Sequence, residues 1–285
     1  KDALRRALAL PAEAGIVLGT GADELLQLIT TAVARPGAVV LAPDPTFVMY
    51  RIYAMQAQVR YASVPLHADF TLDVEALVAE IARQKPALVW LASPNNPTGR
   101  AIPAAAIERV LAAAPGLVVV DEAYADFAGT TLVPRVLEFP NLVVMRTLSK
   151  VGLAGARLGY AVAHPAWIGE LDKVRSPYNV NALTQAVVPV ILGAADAMAA
   201  QVAAIRAERG RLASALGAFP GFAVSPSDAN FLLVRVPDAP MLASRLRAAG
   251  IQTRMPGRRA TRTSTRPARR TSPCGTSSTS RSVNA

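Results

Sequence analysis

Short apolar runs alternate with longer amphipathic stretches along the first 250 residues. The apolar runs predict strands at residues 16–18, 38–42, 87–92, 117–121, 142–146 and 158–163. Most are apolar at successive positions, which is typical of parallel strands covered on both faces. Patterns of helical period lie between them, at residues 23–34, 74–83, 103–113 and 165–174. This alternation predicts an α/β fold with a mainly parallel sheet.

The pattern changes after about residue 180. An alanine-rich helical stretch covers residues 182–216, with a break expected near Pro189 or Gly193. Short strands at 222–224 and 231–236, a helix at 241–249 and a strand at 251–254 follow. We therefore predict a large domain over residues 1–180 and a smaller α+β domain with its connecting helix over residues 181–254.

Residues 255–285 differ in kind from the rest of the chain. Twelve of these 31 residues are Ser or Thr, seven are Arg, and none is acidic. Such a segment cannot form a hydrophobic core. It is either a disordered basic tail or the out-of-frame translation of GC-rich coding DNA. The abrupt change inside a predicted domain favours the second interpretation.

Composition and charge exclude several classes of protein. Hydrophobic residues make up 52% of the chain and charged residues 18%, which argues against intrinsic disorder. One cysteine and two distant histidines exclude a disulfide scaffold and argue against a metal cluster. No uncharged apolar run reaches the roughly 18 residues of a membrane span. The net charge of +10 falls to +3 without the tail, so we expect no specific nucleic-acid binding.

The chain starts within an amphipathic helical pattern, at Lys1, without an initiator methionine or a signal segment. We therefore expect a fragment of a cytoplasmic protein that has lost its N-terminal arm.

A lone lysine follows a predicted strand, in a loop of small residues. Residues 148–160 read LSKVGLAGARLGY, which places Arg157 seven positions after Lys150. The chain has four lysines against 26 arginines, so a lysine here serves more than charge alone. Lysine can lose its proton and form a Schiff base. The alternative interpretation is a solvated loop lysine.

Two acidic residues stand at the end of another predicted strand. Residues 118–124 read VVVDEAY, with Asp121 at the carboxyl end of the apolar run. Ligands of open α/β sheets bind at that end of the strands. A carboxylate buried there requires a cationic partner, and a protonated pyridine nitrogen would be one. A metal ligand or a helix cap is the alternative.

Three further segments follow predicted strands. The first is SPNNPTG at residues 93–99, whose composition also suits a rigid turn. The second is LGTGADEL at residues 18–25, a glycine turn leading into a helix whose free N–H groups suit a phosphate. The third is PTF at residues 45–47, which offers an aromatic face.

Together these segments resemble fold-type I enzymes that use pyridoxal 5′-phosphate (PLP), the class I/II aminotransferases. The histidinol-phosphate aminotransferase family is the closest match, and the resemblance covers nearly all of residues 1–254. SPNNPTG, VDEAY and RTLSK occur in the family's order and spacing, and DANFLL at residues 228–233 resembles its small-domain strand.

The resemblance implies a role for each matching residue. Lys150 would be the catalytic lysine that binds PLP covalently and moves the proton between Cα and C4′. Asp121 would keep the pyridine nitrogen protonated, and Phe47 would stack on the ring. The remaining positions would hold the phenolate oxygen (Asn96 and Tyr124) and the phosphate (the Ala22 and Asp23 amides, Ser149 and Arg157).

The resemblance is incomplete at the substrate side. Arg254 resembles the first of two family arginines near the substrate carboxylate. The second, expected in a C-L-R-[LIV]-T-V-G-like strand, is absent, as is the N-terminal arm that lends aromatic residues to the partner subunit. We therefore expect this chain to keep its cofactor site and to turn over substrate slowly.

The resemblance implies histidinol-phosphate:2-oxoglutarate amino transfer, which in histidine biosynthesis uses glutamate as the amino donor. It also implies a cytoplasmic homodimer. Two PLP-dependent alternatives are a threonine-phosphate decarboxylase and an aromatic amino-acid aminotransferase. An alternative of another class is a non-catalytic PLP-binding regulator, which would need a helix-turn-helix domain that these 285 residues lack.

Overall fold

A seven-stranded sheet forms the centre of the fold. The computed structural model describes residues 1–255. The strands are β1 (Gly15–Thr20), β2 (Val39–Asp44), β3 (Arg60–Pro65), β4 (Leu88–Ala92), β5 (Leu117–Asp121), β6 (Leu142–Thr147) and β7 (Leu158–Ala163). Their order is β1-β7-β6-β5-β4-β2-β3. Only β7 runs against its neighbours, and the other six strands share one direction. The predicted α/β class with a mainly parallel sheet is confirmed.

Helices cover both faces of this sheet. They are α1 (Asp2–Ala7), α2 (Ala22–Ala32), α3 (Val48–Gln56), α4 (Val74–Gln84), α5 (Ala104–Ala113), α6 (Ala125–Ala128) and α7 (Pro165–Val174). One apolar layer joins α2, α3 and α7 to the sheet, and the other joins α1, α4 and α5 to its opposite face. Alternate residues of β5 enter the two layers, since Val118 and Val120 face one and Leu117 and Val119 the other.

Three elements of this region were not predicted, and one of them, α6, is a single four-residue turn of helix. Strand β3 lies at the edge of the sheet, and only Val64 of its six residues is buried. Helix α3 buries only Tyr50 and Ala54. A pattern with so few buried positions carries little periodic signal, so the sequence did not distinguish these elements from loops.

The predicted helical stretch at residues 182–216 is two helices, α8 (Ala182–Leu192) and α9 (Ala195–Gly217), which meet at 80°. The break at Gly193 is confirmed, whereas Pro189 lies inside α8. Within residues 1–255 no single helix is long and apolar enough to cross a membrane. Only α8 and α9 taken together, as this bent pair, reach that length and composition.

A smaller antiparallel sheet and one more helix follow. The sheet pairs β8 (Ala223–Val224) with β9 (Val234–Arg235), and α10 (Ala239–Ala248) comes after it. The strand predicted at residues 231–236 is therefore shorter than expected.

The strand predicted at residues 251–254 is wrong. These residues have no regular structure, since no strand of the described range pairs with them. Apart from Met255, the predicted basic tail lies outside the described residues.

Candidate active site

A pocket of about 250 Å³ opens where the parallel strands end. The segments that follow β1, β2, β4, β5 and β6 all reach it, because the carboxyl ends of parallel strands lie at one edge of a sheet. The nine residues predicted to hold the cofactor all line this pocket, namely Ala22, Asp23, Phe47, Asn96, Asp121, Tyr124, Ser149, Lys150 and Arg157.

Asp121 places a buried carboxylate in the pocket wall. It is the last residue of β5 and is 6% exposed. Oδ1 accepts a hydrogen bond from the Ala123 amide at 3.0 Å, and Oδ2 accepts one from the Tyr50 hydroxyl at 2.7 Å. Burial raises the pKa of Asp121, while these two donors and the charge of Lys150 act in the opposite direction. The carboxylate is suited to a cationic partner within the pocket.

Lys150 supplies the primary amine of the pocket. It lies in a 3₁₀ turn, Leu148–Val151, that directly follows β6. Its Nζ is 5.5 Å from the centre of the Tyr124 ring. No residue of the described range forms a hydrogen bond or a salt bridge with this amine. The amine is therefore available to a ligand.

Two side chains place hydrogen-bonding groups beside this amine. The Asn96 amide donates to the Tyr124 hydroxyl at 3.4 Å. Burial raises the pKa of Tyr124, with the charge of Asp121 acting in the same direction. Tyr124 thus stays protonated at neutral pH and can donate to an anionic oxygen.

The turn that carries Asn96 is held by its neighbour Asn95. The buried Asn95 amide donates to the Pro45 carbonyl at 3.0 Å and to the Thr98 hydroxyl at 2.9 Å. Its carbonyl accepts from Thr46 at 2.7 Å. These bonds tie the segments after β2 and β4 to each other, which explains why a turn rich in asparagine and proline follows a buried strand.

The segment predicted to hold a phosphate lies at the start of α2. Its N-cap is Gly21, which has no side chain to accept a hydrogen bond from the first amides of the helix. These N–H groups are therefore free to bind an anion. Gly21 has φ +80°, and a Cβ there would lie 2.6 Å from Arg157 Nη2. Glycine therefore lets Arg157 lie across the turn. The Ser149 hydroxyl, 3.1 Å from the Thr147 hydroxyl, belongs to the same wall of the pocket.

The aromatic wall contains one residue that sequence reasoning missed. Phe47 precedes α3 and meets Tyr50 edge to face, with centroids 5.7 Å apart and planes at 86°. Tyr50 also lines the pocket and donates to Asp121. No sequence signal identified Tyr50, because helix α3 was not predicted and Phe47 lies just before its first residue.

Arg254, which was predicted to bind the substrate, does not line the pocket. The positive charge of Arg254 lowers the pKa of the Tyr124 hydroxyl, although burial raises this pKa by more. This charge effect is the one link between Arg254 and the pocket in the described residues.

This set of groups fits PLP. Asp121 matches a protonated ring nitrogen, the Asn96–Tyr124 pair an anionic ring oxygen, and Lys150 an aldehyde. The start of α2 with Arg157 matches a phosphate.

Comparison with known proteins places these features in a family. The profile of "aminotransferase class I and II" matches residues 3–279. The chain is 55% identical over 251 residues to a histidinol-phosphate aminotransferase of Chromobacterium violaceum, covering 88% of this chain and 70% of that one. It is 55% identical over 239 residues to histidinol-phosphate aminotransferase 1 of Burkholderia lata, covering 84% and 67%.

A solved structure agrees with these relatives. Histidinol-phosphate aminotransferase from Sinorhizobium meliloti, in complex with pyridoxal-5′-phosphate, superposes with a TM-score of 0.82 at 31% sequence identity. The superposition covers 90% of this chain and 72% of that one.

Proposed function

The chain belongs to the class I and II aminotransferase family, and we propose that it transfers an amino group between glutamate and the keto form of histidinol phosphate in histidine biosynthesis. The observation that carries the proposal is the pairing, in one pocket, of the Lys150 amine with the buried Asp121 carboxylate. We infer the substrate from two relatives that are 55% identical to this chain and are named histidinol-phosphate aminotransferases.

PLP is the cofactor. When bound, it supplies an aldehyde that takes up amino groups and a protonated ring that withdraws electrons from the substrate carbon losing its proton. We assign Asp121 to the ring nitrogen, because an ionised carboxylate stabilises a proton there. Phe47 lines the pocket and would cover the ring face and exclude water from it. The Asn96 amide and the Tyr124 hydroxyl donate to the ring oxygen and favour its anion.

The phosphate is assigned to the start of α2. The Ala22 and Asp23 amides, the Ser149 hydroxyl and the Arg157 guanidinium would donate to its oxygens, and the guanidinium adds charge-assisted bonds. An anion held there would fix the cofactor by its phosphate, whereas Asp121 would hold the ring nitrogen. Both ends of the ring system are then held by this chain.

Lys150 is assigned two tasks. Its amine would hold the cofactor covalently and, when free, would take up and return the proton of the substrate Cα. Its position beside the Tyr124 ring supports both tasks, since the amine faces the pocket without a competing salt bridge from the described residues. Arg254 is assigned to the substrate, as a positive charge that acts on Tyr124.

The wider organisation is part of the same proposal. Residues 1–180 would form the PLP-binding domain and residues 181–254 the small domain. The enzyme would act in the cytoplasm as a homodimer. The dimer is supported by an exposed apolar face on α8, formed by Leu183, Val187 and Val190.

One experiment tests both the cofactor site and the reaction. The chain is reconstituted with PLP, reduced with borohydride, and digested, and we expect the adduct on Lys150. Unreduced protein mixed with L-glutamate should release 2-oxoglutarate in a single turnover. Lys150→Ala should abolish both results, whereas Lys173→Ala should change neither, because Lys173 pairs with Glu170 on the surface of α7.

Two outcomes would contradict this proposal, one for the cofactor site and one for the reaction. An adduct on another lysine would overturn the assignment of Lys150. Release of carbon dioxide from threonine phosphate, without amino transfer from glutamate, would favour a decarboxylase.

A further inference from the structure

Tyr50 is a fully buried tyrosine whose hydroxyl meets the carboxylate of the pocket. Its ring stacks on Trp90, with centroids 4.8 Å apart and planes at 2°, and both side chains are 0% exposed. Phe47 closes the remaining side, edge to face. The ring therefore has one position available, and that position directs the hydroxyl to Asp121 Oδ2 at 2.7 Å.

Few groups determine the charge of Asp121. Within residues 1–255 each carboxylate oxygen accepts one hydrogen bond, from the Tyr50 hydroxyl and from the Ala123 amide. The charged groups that face it are the Lys150 amine, which favours its ionised form, and the Asp23 carboxylate of α2, which disfavours it. The Tyr124 hydroxyl is the other titratable neighbour. Burial opposes ionisation more than any of these contacts.

We propose that Tyr50 is a positioning residue of the PLP site, whose hydroxyl holds Asp121 ionised and in one orientation at the pocket wall. This inference rests on the proposed function. Tyr50 itself stays uncharged, because burial and the neighbouring Asp121 raise its pKa well above the ordinary value. It therefore remains a donor throughout the working range of pH, and Trp90 and Phe47 fix the direction in which it donates.

The role has a consequence for pH dependence. An ionised Asp121 pairs with the protonated ring nitrogen, so a proton on Asp121 competes with the cofactor. Removing the Tyr50 hydroxyl takes away a bond to the charged form and raises the pKa of Asp121. PLP binding should then weaken at acid pH and stay unchanged at alkaline pH, where Asp121 is ionised in either protein.

The test measures the equilibrium affinity for PLP between about pH 5.5 and 9, by cofactor absorbance, for the full chain and for Tyr50→Phe. We expect the acid limb of the affinity profile to move up by about one pH unit, or about tenfold weaker binding on that limb. Tyr61→Phe is the matched control, because Tyr61 lies on edge strand β3 beside Asp44 and Arg51. It should leave the profile in place.

The outcomes separate this inference from the proposed function. If the unaltered chain binds no PLP, the proposed function fails. If the unaltered chain binds PLP and the affinity profile of Tyr50→Phe is the same as that of the unaltered chain, the role proposed for Tyr50 is wrong. Equal weakening at every pH would also overturn it, because that result indicates lost packing rather than a changed charge on Asp121.

Two further variants keep the test decisive. In an Asp121→Asn background, Tyr50→Phe should produce no additional pH-dependent change, since the group that it acts on is gone. If Tyr50→Phe does not fold, 3-fluorotyrosine at position 50 preserves the ring and makes the hydroxyl a stronger donor. It should move the acid limb down in pH, and an unmoved limb would contradict the inference.

Discussion

Two neighbouring carboxylates at the end of β5 face opposite sides of the sheet. Asp121 faces the pocket, whereas Glu122, 3% exposed, accepts hydrogen bonds from the Thr131 hydroxyl at 2.5 Å and from the Leu132 amide at 2.6 Å. Burial raises the pKa of Glu122, and these donors together with the Arg146 charge offset part of that effect. Alternation along a strand explains the separation. Asp121 thus faces the proposed cofactor site, whereas Glu122 is bonded within the fold.

Arg146 is the only cation within salt-bridge distance of Glu122 in the described part of the chain. Its guanidinium is 11% exposed, 3.8 Å from Glu122 and 2.5 Å from Asp126. We expect Arg146→Met to lower the free energy of unfolding by about 3 kcal/mol, because it leaves a buried carboxylate without its charge partner. Urea denaturation of the apoprotein measures the change.

Arg211→Met is the matched control, because Arg211 pairs with Glu208 on the exposed surface of α9. It should have no measurable effect. An equal decrease in the free energy of unfolding in the two variants would show that the buried Glu122–Arg146 pair stabilises the protein no more than an exposed pair.

At this scale the sequence predicted the residues that belong to segments of unusual composition. Lys150 and Asp121 each had an ordinary structural alternative, and they could be found because RTLSK and VDEAY occur in the order and spacing of a known family. Tyr50 could not, since a tyrosine in a helix is ordinarily a core residue. Its contact joins positions 71 residues apart, which depends on how α3 packs against β5.

At the scale of elements, the close approach of β7 to the turn before α2 sets the position of the proposed phosphate site. Gly159 of β7 pairs with Gly19 of β1. A Cβ at Gly159 would lie 2.5 Å from the Gly21 carbonyl carbon and 2.8 Å from the Ala22 amide nitrogen. Both are backbone atoms, so the strand or the turn would have to move.

Gly159→Ala should therefore weaken PLP binding and lower the free energy of unfolding by about 1–3 kcal/mol, the usual cost of an added buried methyl group. Cofactor titration and thermal unfolding measure the two effects. Gly169→Ala is the control, since no atom lies within 4 Å of a Cβ there and the residue is inside α7. It should stabilise the protein by about 0.5–1 kcal/mol. Unchanged PLP affinity in Gly159→Ala would separate β7 from the phosphate site.

The elements that the sequence predicted best are those buried on two sides. β5 and β7 have the predicted bounds, because strands covered on both faces read as unbroken apolar runs. The reversed direction of β7 has no such signal, because direction depends on which neighbour the strand pairs with. The predicted strand at residues 251–254 failed for a related reason: β-branched residues such as Ile251 and Thr253 indicate a strand only where a partner strand exists.

At the scale of the whole molecule, residues 228–231 of the smaller C-terminal part contact the turn and the tyrosine that line the pocket. Phe231 packs edge to face on Tyr124 at 5.1 Å. The Asp228 amide donates to the Gly99 carbonyl at 2.7 Å, and its carboxylate accepts from the Ala101 amide at 2.9 Å. These bonds join this segment to the turn that carries Asn96, so displacement of the smaller part would disturb the proposed cofactor contacts.

The apolar face of α8 leads to the last prediction, which concerns assembly. Leu183, Val187 and Val190 recur at helical spacing and are 79%, 47% and 76% exposed. Burying a leucine or valine side chain contributes about 1.5–3 kcal/mol, so covering this face with a second copy would contribute substantially to a dimer. We expect the chain to sediment as a dimer at micromolar concentration.

Lysines at two of these positions should dissociate that dimer. In Leu183→Lys/Val190→Lys the interface would lose two apolar contacts and bury two unpaired charges, which should weaken dimerisation by at least about a hundredfold. Ala112→Lys, an exposed change on α5, is the control and should leave the dimer intact. Sedimentation velocity over a series of concentrations measures the change. A double variant that remains dimeric at the same concentrations would place the interface elsewhere, because two charged side chains could not be accommodated at its centre.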